Sequence, residues 1–243
     1  MPRPLVEIAV DNLPDALAAA ELGIDRLELC SALAGHGLTA STRVLADLRM
    51  RSTIPVAAMV RPRVGNFVAS PSDRFLAPRQ AESLLAAGAD AIVFGFLDAD
   101  GNIDLELCAQ MVHIAGAAHV VFHRGFDMAP APLIALDQLI DLGVRRVLTA
   151  GMSPAATACA LGIAQHPFPP DSFDTRLANL KRYVGHAAER IEIIPCGGIR
   201  AANAQRILTR TGVSQLHSAC RTPGSESLDP QQVRDLLDAV AAP

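Results

Sequence analysis

Short apolar runs alternate with longer segments of helical periodicity along the whole chain. Eight runs have the length and residue types of strands: Leu5–Val10, Arg26–Cys30, Val56–Arg61, Ala91–Phe96, His119–His123, Arg146–Ala150, Ile191–Cys196 and Gln215–Ser218. Most are nearly continuous in Val, Ile, Leu, Ala and Phe. A half-exposed strand alternates polar and apolar residues, so continuous runs indicate strands buried on both faces, as in a parallel sheet. Helices are predicted between them. One is capped by Asp11 or Asn12, has Pro14 in its first turn and ends near Leu22; others span Thr42–Arg51, Pro78–Ala87, Asp104–Ala115, Pro130–Leu142, Ala201–Thr211 and Pro230–Val240. Segment 153–187 is broken by His166-Pro167-Phe168-Pro169-Pro170, which predicts a helix, a proline-rich loop and a second helix.

Four helices share one ending: Leu22-Gly23-Ile24, Ala87-Gly88-Ala89, Leu142-Gly143-Val144 and Thr211-Gly212-Val213. A glycine just past a helix adopts the left-handed conformation that closes its last turn. These glycines precede every second strand and lie 65, 55 and 69 residues apart, matching a βαβα unit of roughly 60 residues. Four such units fill residues 1–243 as a single domain and point to a (βα)8 TIM barrel in the α/β class. A doubly wound open sheet is the alternative, but no GxGxxG follows the first strand and no Walker A motif occurs. The stretch Gln165–Asp174 reads as a longer proline-rich insertion after the sixth strand.

Composition narrows the class. With 50% hydrophobic residues, 19% charged and a net charge of −4, the chain is not disordered. A pI near 5.9 and an aromatic content of 4% without tryptophan argue against a nucleic-acid partner. The mean hydropathy of +0.27 raises a membrane reading, but no run of about 18 uncharged apolar residues supports one. Met1-Pro2-Arg3-Pro4 leads straight into the first strand, so no signal peptide is expected. The five cysteines are scattered without a CxxC pair, which suits a reduced, cytoplasmic protein. Twenty arginines stand against one lysine, Lys181, in the polar helix surface Asn179-Leu180-Lys181-Arg182. Lysine-imine chemistry is therefore not expected.

In a barrel of this kind, chemistry sits at the C-terminal ends of the strands. Charged residues inside or just after apolar strands are thus the informative ones. Glu7, Glu28, Arg61, His123, Arg124 and Asp127 meet this criterion and are the candidate catalytic residues. His123 is the candidate acid/base, with Glu7 or Glu28 as partner base. Gly197, Gly198 and Arg200 after the seventh strand, with His217 and Ser218 on the eighth, form a candidate anion site where backbone N–H groups meet a helix start. Each of these residues also has a structural reading, as part of an ion-pair network under the loops. Cys30 is the candidate metal ligand, with Cys196 or Cys220 as possible companions; the thiols also fit as small core residues. His36, in the loop after the second strand, fits a ligand, a proton donor or a loop surface residue.

Several strings occur together, in order and spacing, that resemble the CutC copper homeostasis family. They are Glu28-Leu29-Cys30, Gly37-Leu38-Thr39, Arg61-Pro62-Arg63, the run 95–104, Phe122-His123-Arg124-Gly125-Phe126-Asp127, Val147-Leu148-Thr149-Ala150-Gly151, Gly198-Ile199-Arg200-Ala201-Ala202-Asn203 and Leu216-His217-Ser218. The resemblance covers about residues 5–220. It implies a cytoplasmic TIM barrel, a homodimer, and a link to copper handling with Cu(I) as the metal. Some members carry a cysteine just after the first strand's Glu-Ile; here the run is Glu7-Ile8-Ala9-Val10, so no ligand pair carries over. The barrel-end residues fit a second reading equally: a metal-independent isomerase, lyase or hydrolase acting on a small phosphorylated or carboxylated metabolite.

Overall fold

The computed structural model describes residues 3–116, 119–164, 167–222 and 224–241. Met1, Pro2, Gln165 and His166, on which part of the N-terminal and insertion readings rest, lie outside the described residues. Eight strands form: β1 Leu5–Val10, β2 Arg26–Leu29, β3 Val56–Met59, β4 Ala91–Phe94, β5 His119–Phe122, β6 Arg146–Thr149, β7 Glu192–Pro195 and β8 Gln215–Ser218. Every ladder is parallel, and neighbours follow chain order. β1 pairs with both β2 and β8, which bends the sheet round on itself, while β7 lies against β8 at the seam. An open doubly wound sheet needs a reversal of strand order. The result is instead a nearly closed single-domain barrel.

Between the strands run α1 Leu13–Glu21, α2 Thr42–Arg49, α3 Pro71–Ala86, α4 Leu105–Ala115, α5 Pro132–Asp141, α6 Pro154–Ala160, α7 Phe173–Ala187, α8 Ala201–Thr211 and α9 Pro230–Ala241. Short 3-10 turns cover Leu33–Gly35 and Arg124–Met128. Asn12 caps α1 by accepting from the Asp15 N–H, and Gly23, Gly88, Gly143 and Gly212 all have positive φ, as the repeat implied. Helix α3 departs from expectation by starting at Pro71 rather than Pro78. Ser70 and Asp73 form a capping box ahead of it and Pro71 occupies the first turn, the strongest start signal a helix has. Pro78 is carried inside the helix, buried among its neighbours.

Strand alternation sorts residues between two cores. Val6, Ile8, Val10, Leu27, Leu29 and Leu216 face the helices. The lumen is divided. On one side Ala57, Met59, Ala91, Val93, Val121, Leu148 and Ile194 fill it with apolar packing. On the other side β1, β2 and β8 bring in Glu7, Arg26, Glu28, Gln215 and His217, all buried or nearly so. Among the described residues, no helix is long and apolar enough to cross a membrane.

Candidate active site

At the C-terminal mouth of the barrel lies a cavity of about 310 Å³. Its walls include Glu28, His123, Arg124, Gly197, Gly198, Arg200, His217 and Ser218, so eight of the twelve sequence candidates converge there. Glu7 sits just below the floor, where its Oε1 meets His217 Nδ1 at 2.7 Å. Register explains this: Glu7 is opposite Arg26 on one neighbouring strand and opposite His217 on the other.

Glu28 has the most unusual environment. It is 4% exposed, its Oε1 lies 4.0 Å from His217 Nε2, and its Oε2 has no hydrogen-bond partner. Burial, opposed in part by the attraction of His217 and reinforced by Glu7, pushes its carboxyl up to about 7. Glu7 goes the other way. Burial raises it, but the bond to His217 and the Arg26 guanidinium more than offset that and bring it down to about 2. Burial lowers His217, yet Glu28 and Glu7 outweigh it and hold the imidazole above its ordinary value. The floor thus joins a carboxylate held ionised, an imidazole with a raised affinity for protons and a carboxyl poised near neutrality.

His123 is placed differently from the expected acid/base. Its Nδ1 accepts from the Gly125 N–H at 3.0 Å, and its ring packs against Phe67 at a centroid distance of 4.7 Å. Burial, with Arg61 and Arg124 nearby, pushes it down to about 3. It is a neutral imidazole with its proton on Nε2, fit to donate a hydrogen bond rather than to shuttle protons at neutral pH. Gly95 makes room for it, since a Cβ there would fall 2.1 Å from His123 Nδ1. The glycine lies in a string the sequence singled out, but nothing in the sequence pairs it with His123.

The arginines differ in what holds them. Arg61 turns from the main cavity. Its Nη1 bonds the Gly37 carbonyl at 3.1 Å and its Nη2 the Gly65 carbonyl at 2.8 Å, so it ties down the loop that carries His36 over the cavity. Asp127 is also outside the cavity lining. It accepts from the Thr149 hydroxyl and from the Ala150 N–H at 2.8 Å, pinning the second 3-10 turn to β6. Ser218 is spent inside the scaffold: it donates to the Ile199 carbonyl and accepts from Arg200. Arg124 lines the cavity with its Nη2 3.6 Å from Met152 Sδ and its Nε 3.5 Å from the Asp127 carboxylate. Arg200 bonds the Ile199 and Arg221 carbonyls and Ser218. No ion pair to either residue's guanidinium is tighter than that 3.5 Å contact among the described residues.

Beside them, the peptide after β7 is turned by side chains on its outer face. Arg176 holds the Cys196 and Gly197 carbonyls at 3.2 and 2.7 Å, and Asn203 holds that of Gly198 at 2.9 Å. Gly197 and Gly198, with φ of 74° and 89°, make that turn possible. The arrangement leads into the N-terminus of α8, a favourable place for an anion. Sequence reasoning missed Arg176, which carries this turn from α7, and Arg221, which lines the cavity while paired with Asp11 at 2.5 Å.

Cys30 is buried outside the cavity lining, its thiol set 3.5 Å from the Val10 carbonyl and pushed strongly up by burial and Glu28. Burial holds Cys196 up at about 12. Cu(I) favours thiolates; among the described residues no thiol belongs to a group of three close donors, and of Cys30, Cys196 and Cys220 only Cys196 lines the cavity. Among the described residues, the one cluster of three close donors is Glu7, Glu28 and His217, within 4.8 Å of one another. These are nitrogen and oxygen donors, and Glu7 is already engaged by Arg26 and His217.

The fold and mouth define a single-domain (βα)8 barrel with an ionisable cavity where such barrels carry their chemistry. The profile of the CutC family matches residues 4–166 and 169–222, and the chain belongs to that family. It is 39% identical over 220 residues to the human copper homeostasis protein cutC homolog, covering 90% of this chain and 74% of that protein. It is 40% identical to a CutC family protein of Treponema denticola, covering 88% and 80%. The crystal structure of the putative copper homeostasis protein CutC from Streptococcus agalactiae superposes with a TM-score of 0.78 at 31% identity, covering 89% of this chain and 98% of that one. 3-Hexulose-6-phosphate synthase, with a TM-score of 0.64 at 17% identity over 97% of this chain and 99% of that one, shares the fold.

Proposed function

We propose that this CutC family member is an enzyme that moves protons on a small phosphorylated or carboxylated metabolite, using its own acid and base groups. The observation that carries the reading is Glu28. A buried carboxyl with one oxygen unbonded and a midpoint of about 7 can both take and return a proton at neutral pH. For a carbonyl substrate, the Glu28 carboxylate removes a proton from the carbon beside the carbonyl. The His217 imidazolium gives its Nε2 proton to the carbonyl oxygen, forming an enol. Where the neighbouring carbon carries a hydroxyl the product is an enediol. Glu28 then gives its proton to the former carbonyl carbon, His217 recovers a proton from the neighbouring hydroxyl, and an isomerisation is complete. Return to the original carbon instead regenerates the substrate with its proton exchanged. Arg124, Arg200 and the Gly197-Gly198 turn are assigned to the substrate's anionic group, and His123 to a neutral hydrogen bond.

Incubation with a metabolite extract in deuterated water tests this. The wild type is expected to place deuterium at exchangeable carbons of particular metabolites, and Glu28→Gln to lose at least about 100-fold in that rate. Equal labelling by both proteins overturns the assignment. The names of the relatives raise a second reading, Cu(I) binding through Cys30, against which the burial of Cys30 outside the cavity lining weighs. Five scattered cysteines without a CxxC pair support a reducing compartment, and we place the protein in the cytoplasm. A homodimer belongs to the same proposal and is checked by light scattering.

A further inference from the structure

The floor of the cavity continues downward as a hydrogen-bonded belt. Arg26, Arg146, Glu192 and Gln215 are each the first residue of their strands. Arg26 Nε donates to Glu7 Oε2, and its Nη2 donates to Gln215 Oε1 at 2.8 Å. Gln215 Nε2 donates to Glu192 Oε2 at 2.6 Å, and Arg146 Nε reaches the same oxygen at 2.8 Å. The chain of contacts runs from His217, through Glu7, to the opposite end of the barrel.

Barrel interiors are ordinarily packed with branched aliphatic residues. A buried ion pair is weak evidence for stability, because apolar residues of similar volume often do as well. The belt is no proton wire, since a guanidinium does not release its proton. Its geometry suits a different task. Glu7 has two oxygens: Arg26 takes one, and the other is left facing Nδ1 of His217. An imidazole whose Nδ1–H is fixed on a carboxylate presents Nε2 in one direction, here toward Glu28 and the cavity.

We propose that Arg26, anchored by Gln215 and Glu192, is a positioning residue that acts through Glu7 to fix the ring of His217 and temper its basicity. The inference rests on the reading of His217 as the proton donor. The charged groups facing the ring are Glu7 from β1 and Glu28 and Arg26 from β2. The two carboxylates raise its affinity for protons and Arg26 lowers it. Without Arg26, Glu7 Oε2 loses its donor and the two carboxylates face the ring without an opposing charge.

Nitrogen-15 NMR of the imidazole in the full-length protein tests this without turnover. In the wild type, Nδ1 is expected to stay protonated across the titration. In Arg26→Met the His217 midpoint is expected to rise by about one unit and the neutral ring to lose its single tautomer. Arg26→Lys, which restores the charge, is expected to bring the midpoint back. Arg26→Gln keeps a donor toward Glu7 and is the variant read if Arg26→Met does not fold. A midpoint and tautomer unmoved in the neutral variants, or a midpoint that falls, overturns the proposal and leaves the belt as packing. A risen midpoint with no deuterium exchange by the wild type sinks the enzymatic reading alone; active exchange with an unmoved midpoint sinks the positioning role alone.

Discussion

Replacing Glu28 by Gln keeps the side chain's shape and removes its titration. In the folded protein the Glu28 carboxyl holds its proton up to about 7, against an ordinary value of 4.5. The unfolded chain gives that proton up from 4.5 onward. A raised carboxyl contributes fully to stability below 4.5, and the contribution is lost as pH rises toward 7. At about 1.4 kcal/mol per unit, the gap costs the folded protein about 3 kcal/mol above pH 7. That figure already includes the attraction between Glu28 and His217, so about 3 kcal/mol is the expected difference. Glu28→Gln should therefore match the wild type at pH 4 and exceed it by about 3 kcal/mol at pH 8 in urea unfolding. The same variant loses deuterium exchange, the pattern of a residue kept for chemistry at the expense of stability. A difference that does not change with pH, or a variant weaker at pH 8, would refute the reasoning.

Gly95→Ala should force the His123 ring from its place and destabilise the fold by about 1–3 kcal/mol, measured by denaturant titration; an undisturbed ring in a crystal structure of the variant contradicts this. Cys30→Ser should leave Cu(I) affinity unchanged in competition with a Cu(I) chelator, and a clear loss of affinity would restore the thiol as a ligand. Arg61→Ala should speed amide hydrogen exchange across residues 33–39 while leaving the Glu28 midpoint in place, because Arg61 bonds backbone carbonyls rather than the floor. Exchange rates equal to those of the wild type would show that the clamp is idle.

The barrel was legible because its strands are buried on both faces, and burial leaves a direct mark in continuous apolar residues. Charges that break such a run stand out, which is how Glu7, Glu28 and His217 were found. What a side chain does after leaving its strand is not written in that pattern. Arg61 and Asp127 satisfy the same rule as Glu28, yet they turn toward loop backbone, because carbonyls and N–H groups there need partners. His123 looks like the natural proton carrier by residue type, but burial beside two arginines keeps it neutral. Arg26 and Gln215 escaped notice because they begin their strands, where a polar residue ordinarily marks the edge of a run. Only the closure of β1 against β2 and β8 brings them into the lumen beneath Glu7.

Carbon-13 NMR of the Glu28 side-chain carboxyl, assigned by its absence in Glu28→Gln, tests the central claim most directly. The account predicts a midpoint near 7 in the free protein. A midpoint between 4 and 5, the range of a solvated carboxylate, would contradict it and remove the proton carrier from the cavity.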